Sequence, residues 1–309
     1  MAVGLKPLPD LVPIAGIRVG AGAAEIAKSG RDDMALFELS TDSHCAAVFT
    51  KNAFCAAPVV IAKTHLATCS PRYLLVNSGN ANCGTGEAGL QAAVRTCEAV
   101  AQSTGCVREA VLPFSTGVIG ETMPIERMCE TVRGMVESLE KNGWAGAARA
   151  IMTTDTGPKG VSRHVDSLAG PYSLTGISKG SGMIRPDMAT MLAYVGTDAK
   201  IEPGVLQHSL AAAVSSSFNR ITVDGDTSTS DTVLVFDHLK HVIKVVFLGS
   251  LRRKRKWRRY GRTEARNLQH AATLGLNVPG VLAQGRLRRW CDPLVASVLL
   301  IEHLAGRSS

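Results

Sequence analysis

The sequence predicts a layered α/β domain with a mixed sheet. Short apolar runs such as residues 72–76 (RYLLV) and 110–114 end in Asn-, Ser- and Gly-containing turns, as strands do. Segments such as 86–104 and 203–218 carry apolar residues at helical spacing. Strands and helices interleave along the chain, which calls for helices layered on sheet.

In chain order, residues 46–49 and 58–61 are predicted as short strands, and 72–76 as a buried strand closed by Asn77-Ser78-Gly79-Asn80. Leu90, Ala93, Val94, Cys97, Val100 and Ala101 line one face of a helix over 86–104. Strand 110–114 runs into Ser115-Thr116-Gly117. Pro124 suits the first turn of a helix reaching 141, with Asn142-Gly143 as its stop. Residues 144–152 are Ala-rich and helical. Residues 172–179 and 191–195 alternate as strands do, and 203–218 is an amphipathic helix. Two strands, 221–223 and 232–236, flank the polar segment DGDTSTSD (224–231), read as the loop of a hairpin.

Composition bounds the class. A chain of 309 residues corresponds to about two domains. Aromatics are only 5%, so the core rests on Ala, Val, Leu and Ile. No window reads as a membrane span of about 18 apolar residues. Residues 1–13 hold one Lys, three Pro and no apolar stretch, so a secretory signal is not expected. The eight cysteines show no CxxC or zinc spacing and read as reduced, buried small hydrophobes of a cytoplasmic protein.

The net charge of +8 is uneven. Residues 238–309 hold 15 of the 34 Lys and Arg but only 3 of the 26 Asp and Glu, a local balance of +12, which leaves residues 1–237 at −4. That shift divides the chain into a first domain, 1–237, and a basic α+β tail, 238–309. The densest run, LRRKRKWRRY at 251–260, is expected to be a solvated basic helix. An anion- or nucleic-acid-binding module is the alternative, with only Trp257 and Tyr260 available for base stacking, so nucleic acid is not an expected partner.

Three stretches carry candidate chemistry. In KGSGMIRPDMATMLAYVGTD (179–198), Ala189 and Thr190 stand directly before a strand. A Thr hydroxyl flanked by small residues can reach the preceding carbonyl, and the α-amino group released by cleavage can act as its base. A Thr at a strand edge is ordinarily a β-former that packs, so the residues alone leave both readings open. Thr116-Gly117, in a Gly-rich turn after a strand, presents a hydroxyl and backbone N–H groups suited to an oxyanion, or is an ordinary turn. The segment 224–231 lacks the Gly and Glu of a calcium loop. His44, His65, His164 and His208 show no ligand spacing and are expected to be structural or exposed, and no metal site is expected.

Six ordered blocks go further: AAVFTKNAFCAAPV (46–59), LLVNSGNANCGTG (74–86), STGVIG (115–120), IMTTDTGPK (151–159), KGSGMIRPDMATMLAYVGTDA (179–199) and SFNRITVDGDTSTSDTV (217–233). Together they resemble the glutamate N-acetyltransferase / ornithine acetyltransferase family of arginine biosynthesis, over residues 5–237. The resemblance implies a layered, α/β/β/α-like fold of the N-terminal-nucleophile type. It implies self-cleavage between Ala189 and Thr190, with Thr190 as nucleophile and first residue of the β chain. Thr116 and Gly117 are then the oxyanion hole, and Thr153, Lys179 and Thr190 the substrate contacts, Lys179 pairing with a substrate carboxylate. The implied reaction is ping-pong acetyl transfer from acetylornithine to glutamate. No cofactor is implied, acetyl-CoA being an alternative acetyl donor, and the cleaved chains are expected to stay together as α2β2 in the cytoplasm. Family members also have a C-terminal half that supplies a substrate-binding Glu and a near-terminal Asn with a Ser or Thr. No counterpart follows Asp237, so an inactive remnant that at most self-cleaves is the alternative.

The tail itself is similar to the N-lobe of lipopolysaccharide-kinase-like proteins, with Lys244 on a strand over 241–247 and Glu264 on a helix over 263–274. Without a catalytic loop or a metal-binding motif after it, phosphoryl transfer is not expected.

Overall fold

A computed structural model of the chain describes residues 7–166, 171–183, 191–221, 223–224 and 226–237, together with the backbone of 242–244 and 280–281. Two sheets face each other. The first joins, in spatial order, β1 (Ile17–Gly22), β2 (Met34–Leu39), β4 (Tyr73–Asn80) and β5 (Val111–Val118). Its pairings are antiparallel except for β4 with β5, which is parallel. The second joins β3 (Cys45–Phe49), β10 (Thr232–Asp237), β8 (Leu192–Thr197), β7 (Tyr172–Lys179) and β6 (Lys159–Val165). Only β10 with β8 is parallel there.

Each sheet packs on the other by one face and on helices by its other face, which is why strands such as β2 (MALFEL) and β10 (TVLVFD) read as nearly continuous apolar runs. The period of two then sorts neighbours onto different layers. In β2, Ala35, Phe37 and Leu39 face the other sheet, while Met34 and Leu36 face helices. In β8, Leu192 and Tyr194 point between the sheets, and Ala193 and Val195 point outward. The same split divides Leu234 and Phe236 from Val233 and Val235 in β10. The few aromatics concentrate between the sheets: Phe37 stacks on Tyr194 with centroids 5.1 Å apart, and Trp144 on Phe236 at 6.3 Å.

Helices close the two outer faces. α2 (Gly86–Thr104) and α3 (Ile125–Glu137) cover the first sheet through Cys97, Val100, Met128 and Val132. α5 (Pro203–Ser216) covers the second through Leu206, Leu210 and Val214. α1 (Ala57–Thr68) packs on β5 and α2, and α4 (Trp144–Ala150) plugs the gap between the sheets. The result is the helix–sheet–sheet–helix layering that the family resemblance implies. α5 starts at Glu202, whose carboxylate accepts from the N–H groups of Gly204 and Val205 at 3.0 and 2.9 Å. α2 ends at Gly105, whose φ of 73° suits a left-handed stop.

Several elements differ from expectation. Residues 58–61 are not a strand but the first turn of α1, because Pro58, Val59, Ala62 and His65 share one buried helical face. Residues 221 and 223 lie outside any strand, so 224–231 closes no hairpin. That segment instead leads from the end of α5, through a 3₁₀ turn at Phe218–Arg220, into β10. The turns expected at 77–80 and 115–117 are the irregular ends of β4 and β5. β1, β2 and β6 have no counterpart in the elements predicted from sequence.

Past Asp237, β11 (Val242–Lys244) and β12 (Gly280–Val281) run parallel to β9 (Lys200–Ile201). The side chain of Lys244, all of Glu264 and the basic run 251–260 lie outside the described residues. Among the described residues, no helix is long and apolar enough to cross a membrane.

Candidate active site

One end of the two-sheet stack is open. There β4, β5 and β7 finish and β8 and β10 begin, around a cavity of about 440 Å³. Four of the residues singled out from sequence line it: Thr116, Gly117, Thr153 and Lys179. Ala189 and Thr190 lie outside the described residues. The next residue, Met191, is buried and lines the same cavity.

The ends of β4 and β5 are shaped by asparagines and glycines. Ser115 donates to Asn77 Oδ1 at 2.6 Å, and Asn77 Nδ2 donates to the Asn80 carbonyl at 2.9 Å. Asn80 Nδ2 reaches the carbonyls of Glu121 and Thr122, and its Oδ1 receives the Asn82 N–H at 2.7 Å. This ladder satisfies buried backbone groups where the strand pairing breaks down. Gly117, at φ 138°, lies against the backbone of β4: a Cβ there would sit 2.2 Å from the Gly79 carbonyl carbon. Strand alternation then turns Ser115 toward the asparagines and Thr116 toward the cavity.

Lys179 enters from the other sheet. It is the last residue of β7 and sits opposite Leu192 in the register with β8. Its Nζ donates to Thr116 Oγ1 at 2.9 Å. That bond uses an acceptor lone pair of Thr116 and leaves the hydroxyl proton to point elsewhere, as an oxyanion donor must.

A charged cluster surrounds this bond. Lys159 donates to Asp155 Oδ1 at 2.5 Å, with both side chains almost fully buried. Gly180 N–H adds to the same oxygen at 2.7 Å, and Thr153 N–H binds the other at 3.2 Å. Burial pushes the Asp155 carboxyl up, but the charges of Lys179 and Lys159 and the hydrogen bonds outweigh it, and its pKa ends below the usual carboxylate value. For Lys179, burial pushes the ammonium down, against the opposing pull of Asp155 and Asp231. Asp231, 4% exposed, is pushed well above the usual carboxylate range by burial, despite its hydrogen bond with Ser228 and the charge of Lys179.

The 224–231 segment is pinned at its far end by residues of the 46–59 block. Thr50 N–H donates to Asp231 O at 2.8 Å, Thr50 Oγ1 to Ser228 O at 2.9 Å, and Ala56 N–H to Thr229 O at 3.0 Å. On the other side, Thr232 N–H donates to Met191 O at 3.2 Å. Asp155 and Lys159 are not among the residues that sequence reasoning singles out, and Asp231 enters it only as part of the 224–231 segment, although all three stand inside the six ordered blocks. Their signal is an acid or a base within a stretch otherwise made of small residues and hydroxyls. Among the described residues, no group of His, Cys, Asp and Glu is arranged to hold a metal ion.

Comparison with known proteins bears on this arrangement. The sequence profile of the ArgJ family matches residues 18–258. The arginine biosynthesis bifunctional protein ArgJ of Methylococcus capsulatus is 56% identical over 240 residues, covering 78% of this chain and 59% of that protein. The protein of the same name from Pseudomonas syringae pv. tomato is 52% identical over 235 residues, covering 76% and 58%. The chain thus spans a little under three fifths of the length of these curated relatives. Among solved structures, the ArgJ protein of Bacillus halodurans aligns with a TM-score of 0.54 at 30% identity, over 57% of this chain and 92% of the other. Ornithine acetyltransferase of Mycobacterium tuberculosis, complexed with ornithine, aligns with a TM-score of 0.51 at 34% identity, over 60% and 98%. By the extent of the profile match and the identity to these relatives, the chain belongs to the ArgJ family.

Proposed function

We propose that this chain is an amino-acid acetyltransferase of arginine biosynthesis that uses Thr190 as a self-released nucleophile. The observation that carries the reading is the Lys179–Thr116 hydrogen bond in a cavity that Gly117, Thr153 and Met191 also line. These residues come from separate parts of the sequence and from both sheets, and Met191 is joined to Thr190 by one peptide bond.

The chemistry runs in two stages. First the Thr190 hydroxyl attacks the Ala189 carbonyl. The C–O bond forms, the C–N bond breaks, and the hydroxyl proton goes to the departing Thr190 amine. Water then hydrolyses the ester, leaving the Ala189 carboxylate, a free hydroxyl and a free α-amine. In the second stage that amine, with an ordinary pKa of about 8, takes the hydroxyl proton as Thr190 attacks the acetyl carbonyl of N2-acetylornithine. It returns the proton to the departing ornithine α-amine. Glutamate's α-amine then attacks the acetyl-Thr190 ester, which yields N-acetylglutamate and restores the hydroxyl. Thr116 Oγ1 and the Gly117 N–H meet the oxyanion formed at each attack. Thr153 and Lys179 hold the amino-acid substrate, with Lys179 facing its carboxylate.

In this reading residues 1–237 form the acetyltransferase unit, acetyl-CoA is an alternative acetyl donor and no cofactor takes part. The two cleaved chains remain associated as α2β2, in the cytoplasm. Intact mass after expression tests the first stage. The wild-type chain of 32.6 kDa is expected to split between Ala189 and Thr190, and Thr190→Ala to stay whole. A wild-type chain that stays whole overturns the reading. Acetylornithine-dependent formation of N-acetylglutamate tests the second stage. A chain that splits but forms no product is the self-cleaving remnant instead.

A further inference from the structure

The connection between β1 and β2 forms one wall of the cavity, through Ala27, Lys28, Arg31 and Asp33. Asp33 is buried, and its two carboxylate oxygens take the N–H groups of Ala24 and Ile26 at 2.8 and 2.6 Å. That folds the segment back and lays it against β4: a Cβ on Gly79 would come within 2.9 Å of Ala27 Cβ. Arg31 leaves this wall as a half-buried side chain. Its Nη2 donates to Ser78 Oγ at 3.2 Å and to the Met152 carbonyl at 2.6 Å. Both acceptors are neutral. Among the described residues Arg31 has no acidic partner, and its Nε and Nη1 donate to none of them.

A guanidinium held in a cavity wall without an anion is ready to take one from a ligand. A second cation stands beside it. Ser78 and Thr116 are register partners in β4 and β5, so their strands run about 4.8 Å apart and the two side chains share a face of the sheet. Arg31 bonds the first hydroxyl and Lys179 the second. Two cations from distant parts of the chain thus end on neighbouring hydroxyls in one cavity. The acids nearby are otherwise engaged. Asp33 holds backbone N–H groups, and Asp155 holds Lys159, Gly180 and Thr153. Burial pushes the Asp231 carboxyl well above the usual range, which favours its neutral form.

We propose that Arg31 is a specificity-determining residue of this site: its guanidinium takes the side-chain carboxylate of glutamate while Lys179 faces the α-carboxylate. This rests on the reading of the cavity as an acetyltransferase site with glutamate as acceptor, and names the group that selects that acceptor. Two cations on adjacent strands suit a short dicarboxylate, which places an anion at each end of a few carbons. The ornithine side chain ends in an ammonium, which Arg31 repels. Arg31 therefore favours only one of the two amino acids that occupy the cavity in turn. Glutamine has the shape of glutamate but lacks the charge, so it isolates the contribution of the guanidinium.

The experiment measures the dissociation constants of L-glutamate and L-glutamine for the full chain by titration calorimetry. Wild type is expected to bind glutamate at least about tenfold more tightly than glutamine, the worth of one charged hydrogen bond. In Arg31→Gln that preference is expected to fall toward equality through loss of glutamate affinity. Arg31→Lys keeps the charge without the planar fork, so a preference between those of wild type and Arg31→Gln is expected. This variant decides the matter if Arg31→Gln does not fold. A wild-type chain without the preference overturns the proposal, as does a preference that survives unchanged in the variants. Equal loss of both amino acids marks a structural role for the bonds to Ser78 and Met152, and counts against it as well. Binding requires no turnover. A chain that never splits, or that forms no N-acetylglutamate, therefore overturns the Thr190 reading, while the calorimetry still decides on Arg31.

Discussion

Lys179 Nζ lies 2.9 Å from Thr116 Oγ1, so the last residue of β7 in one sheet is bonded to the end of β5 in the other. Thr116→Val keeps the shape of the side chain but removes both the acceptor for Lys179 and a donor to the oxyanion. Self-cleavage is expected to slow on the order of 100-fold. Thr116→Ser retains the hydroxyl and is expected to stay within about tenfold of wild type, given that a whole donor is worth on the order of 100-fold. The fraction of unsplit chain, followed by intact mass over time, checks both. Equal rates for the Val and Ser variants would remove Thr116 from the site.

Gly117 makes a different demand. Its φ is 138°, and a Cβ on it would come within 2.2 Å of the Gly79 carbonyl carbon. No side chain fits there, because the obstacle is backbone. Gly117→Ala is expected to cost on the order of 3 kcal/mol. At roughly 2–4 °C per kcal/mol, the melting temperature falls by roughly 6–12 °C. Thermal melting followed by circular dichroism checks this, and a variant that melts with wild type shows that the β4–β5 crossing yields easily.

The layers are easier to read in the sequence than the wiring of the site. α2 is legible to the residue because its apolar spacing is long and Gly105 ends it. α1 is not, because Val59, Val60 and Ile61 are β-branched and the helical face shows only when Ala62 and His65 are counted. β1 and β2 escape detection because IRVGAG and MALFEL carry one charged residue each, Arg18 and Glu38, too few to mark an alternating strand. Thr116, Gly117, Thr153 and Lys179 emerge through resemblance, and the fold brings all four to one cavity. Asp155 does not, since its importance lies in burial together with Lys159 and Lys179, which the four-residue spacing to Lys159 does not by itself record.

The Asp155–Lys159 pair gives the fold an acid limit. The Asp155 carboxyl is held below its ordinary value, so it contributes stability that is fully present above that value, about 3.9, and is lost as pH falls through the lower folded value. In Asp155→Asn that contribution is gone at every pH. The melting temperature of wild type should therefore exceed that of the variant above about pH 5, and the gap should close on acidification below about pH 4. Lys159→Met leaves a buried carboxylate without its closest cation and is expected to cost on the order of 3 kcal/mol at neutral pH. Melting curves from about pH 2.5 to 7, the range that brackets the ordinary carboxylate value, would count against the pair if the Asp155→Asn gap stayed constant.

Tyr194 offers a test in the opposite direction. Its ring stacks on Phe37 at 5.1 Å and meets Phe114 edge-on at 5.7 Å, between the sheets. Its hydroxyl is buried with no hydrogen-bond partner among the described residues. Burial also holds the phenol well above its ordinary pKa, so the group stays neutral over the working range and its cost does not vary with pH. Tyr194→Phe keeps both ring contacts and removes a desolvated polar atom, whose cost is about 1–3 kcal/mol. The void left by one oxygen offsets part of that gain, so a net of about 1 kcal/mol is expected, or roughly 2–4 °C in melting temperature. The rise should be the same at pH 6 and pH 8. A fall instead would mean that the hydroxyl is satisfied in solution and that the space between the sheets admits water.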